Sequence, residues 1–180
     1  MEIKITTKQM LKMLYILSWI IFIGLCIEAG SFIFNAIFTT AISPRNASYF
    51  RLADLYGYDS GYFLVVLLMM TIVAVLEALI FYLIVKILRD NKLDLAQPFN
   101  KEVGRLIFRI SYLSFGTGLF SSWGVKYTEW LANKGVKMPD IEYLRLGGAD
   151  VWLFMGITLY VIAHIFKRGI EIQTENDLTV

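Results

Sequence analysis

Residues 61–85 read GYFLVVLLMMTIVAVLEALIFYLIV, which is 25 residues with one charged side chain, Glu77. About 20 apolar residues at roughly 1.5 Å each cross a hydrocarbon core of about 30 Å. This run is therefore long enough to span a bilayer. Three others resemble it: 13–42 with Glu28 as its one charge, 106–125 with Arg109, and 151–166 with His164 as its one ionisable imidazole. The first run is longer than a bilayer needs, so it tilts or projects. The last is short, about 24 Å by the same rise, and Asp150 at one end with Lys167 and Arg168 at the other snorkel to complete it. A buried soluble core explains one such run but not four in 180 residues. The composition agrees: 57% hydrophobic and 18% charged residues, against about 45–50% and about 25% for soluble domains.

These runs predict an all-α integral membrane protein, a four-helix bundle forming one domain over residues 1–180. A cleaved signal peptide is the rival reading of the first run, with Lys4, Lys8 and Lys12 as its basic head. The run far exceeds an h-region of about 7–15 residues, and no small-x-small site follows closely. Eleven of the 17 basic residues fall in the N-terminus, the second loop with Arg109, and the tail; six fall in the first and third loops. The positive-inside rule then places both termini, loop 86–105 and tail 167–180 in the cytoplasm.

Ser43-Pro44 ends the first helix. The loop that follows carries Tyr49, Phe50, Tyr56, Tyr58, Tyr62 and Phe63, a cluster suited to the headgroup level. Asn100 is placed to cap the third helix, with Glu102 in its positive first turn. Beyond residue 125, Tyr127, Trp130 and Leu131 share a face, and Gly135 is a natural stop.

Charged groups at membrane depth are candidate sites by default. Glu28 shares a helical stripe with Gly24, Ser31, Asn35 and Thr39, which faces protein or water: a polar cavity open to the outer half of the bilayer, or a seam stitched by Ser, Asn and Thr. Glu77 and Arg109 are expected to pair, since an extended arginine covers the difference in their depths. His164 lies on a stripe with Gly156 and Tyr160 near the cytoplasmic edge, as a proton relay or pH sensor, or simply as a packing residue. Ser114, Gly118 and Ser122 repeat every four residues and let another helix approach, within the chain or from a second copy in a homo-oligomer.

Several functions are excluded or disfavoured. A net charge of +2 is too small for direct nucleic-acid binding. One cysteine, Cys26, and one histidine exclude a disulfide framework and a zinc cluster. Cys26, buried in the first span, is expected to be inert. The chain contains no HExxH, CxxC, P-loop, GxSxG or dinucleotide fingerprint. The expectation is a non-enzymatic protein without metal or cofactor.

Two segments carry a family resemblance. Gln97-Pro98-Phe99 followed by Val103-Gly104-Arg105-Leu106 resembles a "PF…N…R-L" junction. The tail, Phe166-Lys167-Arg168-Gly169-Ile170-Glu171 through Glu175-Asn176-Asp177-Leu178-Thr179-Val180, is similar to an "F-x-x-G-x-x-L-x-x-E-N-D-L-T-V" ending. Ile170 and Ile172 stand near the position where that ending has leucine. Both segments resemble those of domain of unknown function 2975, small four-span membrane proteins of bacteria. The resemblance implies the bacterial inner membrane and carries no established activity. It also implies a partner, since such proteins are often encoded beside a small helix-turn-helix regulator. Gly169 is expected to end or bend the fourth helix and free the acidic tail, which then docks on a basic partner or folds back on Lys92, Lys101 and Arg105. The resulting expectation is a regulatory or sensory membrane protein acting through its cytoplasmic loop and tail. The alternative is a small transporter or channel using Glu28 and Glu77, and a weaker one is a lipid-directed enzyme.

Overall fold

A computed structural model describes residues 7–90 and 100–177, with side chains over 8–90 and 100–175. Among these residues the chain is all-α: α1 (Thr7–Ala41), a 3-10 helix (Pro44–Phe50), α2 (Ala53–Tyr58), α3 (Ser60–Arg89), α4 (Lys101–Asn133) and α5 (Ala149–Asp177). Three of the helices, α1, α3 and α5, are long and apolar enough to cross a membrane.

The chain punctuates itself with local chemistry. Pro44 opens the 3-10 helix, and Arg51 closes it in the left-handed region at φ 57°. Asp59 caps α3 by accepting from the Tyr62 backbone N–H at 3.0 Å. Asn100 caps α4 by accepting from the Glu102 N–H at 2.7 Å, as the sequence predicts. Helix α4 continues past the apolar run to Asn133, and Gly135 ends the turn at φ 87°, where a side chain would be strained.

The long helices form an open row, not a closed bundle. Helix α1 packs on α3 and the 3-10 helix, α3 also packs on α4, and α4 also packs on α5. Across the first seam Phe22 meets Tyr82 at 6.0 Å. No contact between α1 and either α4 or α5 occurs among the described residues. The inner members are therefore better covered than the outer ones: 44% of the most apolar window of α3 is buried, against 6% in α1 and 11% in α5. A wide apolar face of α1, including Ile16, Ile20, Ile23 and Ile27, is left for lipid. Cys26 lies on the exposed side of α1, not inside the protein.

Small residues set the α4–α5 seam. A Cβ on Gly118 would lie 2.7 Å from Leu153 Cγ, and one on Gly156 would lie 3.2 Å from Phe115. The Ser111 hydroxyl donates to the Gly156 carbonyl at 2.9 Å. The stripe from Ser114 to Gly118 is thus used within the chain. It continues through Ser121 and Gly124, which are buried, while Ser122 is only half-buried. Gly169 does not end α5, which runs through it to Asp177. An α-helix needs more than one glycine to stop it when packing continues, and Ile170 still rests at the position of Gly104 on α4.

The buried core sits at one end of the row. Loop residues Ala47, Phe50, Leu52, Leu55, Val136, Leu144 and Leu146 pack with Phe32 of α1, Phe63 to Ala74 of α3 and Leu131 of α4. This is the end expected to face outward. Its aromatic cluster divides: Phe50 and Phe63 are buried in this cap, while Tyr49 and Tyr58 remain exposed.

Candidate functional site

The cap holds its two loops together through polar contacts. Asn35 on α1 donates from Nδ2 to the Asn46 carbonyl at 3.0 Å, and Thr39 donates to Asn35 Oδ1 at 3.4 Å. Both side chains are buried. They stitch α1 to the first loop, not to another long helix. Ser121 on α4 donates to the Leu146 carbonyl. Tyr143 donates to the Tyr49 carbonyl at 3.3 Å, and the Arg51 guanidinium lies over its ring at 4.7 Å.

Arg145 completes the closure. It occupies the left-handed region at φ 56°, a conformation that costs energy for a residue with a Cβ. From there its Nε reaches Glu28 Oε1 at 2.9 Å. The pair bridges α1 and the loop before α5, two parts of the chain whose long helices do not touch. Glu28, Ser31, Phe32, Tyr49, Phe50, Glu142, Tyr143 and Arg145 line a cleft of about 550 Å³. The cleft holds two carboxylates against one guanidinium, set among aromatic walls.

Glu77 lies within electrostatic reach of Glu28 and Arg145, though it does not line the cleft. It forms no ion pair with Arg109, contrary to the expectation from depth alone. Depth fixes the level of a side chain but not the way it faces. Leu76 meets α4 at Gly116, so Glu77, one residue on, is turned about 100° away from α4. Arg109 instead lines a pocket with Leu83 and Lys86, about two turns nearer the C-terminal end of α3.

Other predicted residues lie elsewhere. His164 is exposed and stacks edge-on with Tyr160 at 4.7 Å and Phe108 at 5.2 Å, in a group with Tyr112. Gly24, the first member of the Glu28 stripe, is exposed, and a Cβ placed there would meet nothing within 4 Å. Of the tail, Glu171 pairs with Arg168 at 3.1 Å along α5, and Glu175 is exposed on the last turns. Asn176 and Asp177 belong to α5 by backbone alone. Pro98, Phe99, Lys92 and Leu178 lie outside the described residues. Arg145 and Tyr143 escape a reading of the sequence, because a charged loop residue carries no signal of the helix it will meet.

A family model described as "Protein of unknown function (DUF2975)" matches residues 47–180, which takes in α3, α4 and α5 and extends the resemblance beyond the second half. No curated protein matches the chain, and no solved structure does.

Proposed function

We propose that this chain, which belongs to the DUF2975 family of proteins of unknown function, is a multi-pass protein of the bacterial inner membrane that relays the state of its outer cleft to its cytoplasmic end. The role is regulatory or sensory and not enzymatic. The observation that carries this reading is the Glu28–Arg145 pair, which clasps the loop before α5 to α1 beside the cleft. A small organic cation suits the cleft: its lining holds two carboxylates against one guanidinium, and Tyr49 and Phe50 offer rings, as Tyr143 already does to Arg51. Such a ligand competes with Arg145 for Glu28 and frees the loop, which leads directly into α5.

Four spans with both ends inside fit this role. Helix α4 lies between α3 and α5, and its Ser111, Ser114, Thr117 and Ser121 are buried within the protein, which leaves Arg109 as the exposed charge of its apolar stretch. Helix α5 then runs from the cleft loop into the acidic tail without a break. The output is contact between that tail and a cytoplasmic partner, for which a small helix-turn-helix regulator is the proposed class.

The test is to purify the full chain from its own host with and without a tail truncation after Glu175, and with Glu28→Gln. Recovery of a DNA-binding regulator that the truncation abolishes and Glu28→Gln alters supports the relay. Recovery indifferent to both changes overturns it. A second reading, transport, is favoured by two carboxylates, Glu28 and Glu77, within the apolar runs of the packed helices α1 and α3. Flux of protons or organic cations into liposomes, lost in Glu28→Gln and Glu77→Gln, would establish that reading instead.

A further inference from the structure

At the other end of the row, α3 and α4 line a pocket of about 200 Å³. Its lining is divided. Leu83, Ile87 and Leu106 form an apolar side, and Lys86, Arg105 and Arg109 bring cationic groups, with Asp90 and Glu102. Arg105 and Arg109 are four residues apart and so share one face of α4. Asp90 is engaged by Arg89 at 3.2 Å, from outside the lining. Lys86, Arg105 and Arg109 form no ion pair among the described residues. Glu102 brings the first turn of α4, the positive end of its dipole, to the edge of the same space. Arg109 also lies inside the apolar stretch of α4, one turn past Arg105, so the cationic groups descend toward the hydrocarbon instead of staying in the loop.

The geometry points to a binding site for the phosphate of an anionic phospholipid, seated between the inner ends of α3 and α4. The phosphate takes Arg105, Arg109 and Lys86, a set that offers guanidinium forks and a point charge together. The acyl chains follow Leu83, Ile87 and Leu106 into the bilayer. This division into polar and apolar halves favours an amphiphile over a free anion, and a basic pocket between spans on the cytoplasmic side is where anionic headgroups are held. The site lies at the opposite end from the cleft; it needs no relay, and it takes from the proposed function only the orientation that makes this end cytoplasmic.

The test uses the full-length protein in nanodiscs of phosphatidylcholine alone, or of an equal mixture with phosphatidylglycerol, with melting temperature and lipid retention by native mass spectrometry as readouts. Phosphatidylglycerol should raise the melting temperature and be retained in preference to phosphatidylcholine. Arg105→Gln with Arg109→Gln should lose both effects, each arginine being worth about tenfold in retention, as for one charge-assisted hydrogen bond. Arg45→Gln with Lys126→Gln, which removes equal charge from the opposite end, should keep them. Should the glutamine pair fail to fold, Arg105→Lys with Arg109→Lys keeps the charge, loses the forks and should show weakened retention. Equal retention and equal stabilisation in wild type and arginine variants overturns the site. So does stabilisation by inorganic phosphate in phosphatidylcholine nanodiscs with none from phosphatidylglycerol, since that assigns the pocket to a soluble anion.

Discussion

Glu28 and Arg145 show how a single pair can join parts of a fold that packing leaves apart. Glu28 is about three-quarters shielded, with 25% of its side chain accessible, while Arg145 remains 69% accessible. Water therefore screens the pair from one side, and its coupling belongs to the exposed range of about 0.2–1 kcal/mol. A double-mutant cycle with Glu28→Gln and Arg145→Gln, read by thermal unfolding in detergent micelles, should return a coupling of that size. A coupling near zero would mean that the pair does not hold the loop. Glu28 was legible in the sequence as a lone charge in an apolar run. Its partner was not, because Arg145 stands in a loop already rich in charge, where one arginine looks like any other.

At the scale of the element, α4 is the helix whose character differs most from its composition. Its glycine, serine and threonine residues look polar along the chain and prove to be the close-packed seam. Gly118 is tight: a Cβ there meets Leu153 at 2.7 Å, with the Leu153 backbone nitrogen at 3.0 Å. Gly118→Ala should therefore destabilise the protein by about 1–3 kcal/mol through overpacking. Gly30 is open, with nothing within 4 Å of a Cβ on the exposed side of α1. Gly30→Ala should stabilise by about 0.5–1 kcal/mol, the helix cost of glycine relative to alanine. Opposite signs from the same chemical change, measured by thermal unfolding, are the check. The stripe from Ser114 to Gly118 was visible from spacing alone. Its partner helix and its continuation through Ser121 and Gly124 were not, because spacing names a face and leaves open what that face meets.

On the scale of the whole molecule, the row of four long helices is finished at one end by a packed cap of loops. That cap buries Leu52, Leu55, Leu144 and Leu146 completely, so its loops act as a fifth packing layer and not as flexible connections. Under the proposed topology α4 crosses as well as the three apolar helices, and the two ends then emerge on the same side. Reporter fusions after Lys12 and after Val180 should both report the cytoplasm, and one placed in the loop between α1 and α3 should report the outside. Ends found on opposite faces would remove α4 from the membrane and take the relay with it. The open row also explains why α1 carries so wide an apolar face: with one long neighbour, most of its circumference has only lipid to meet.

Sequence alone determined that the chain is helical, where its long helices lie, that Asn100 begins α4, and which charges lie within the apolar runs. These follow from hydropathy runs and capping chemistry, which are local. The tertiary structure decided that the helices form an open row, that Glu28 takes Arg145 while Glu77 and Arg109 face apart, and that α5 continues through Gly169. Each of these depends on the azimuth of a side chain around its helix and on which neighbour packs there. A linear text records order and depth, but it holds no direction across the helix axis until the helices have found one another.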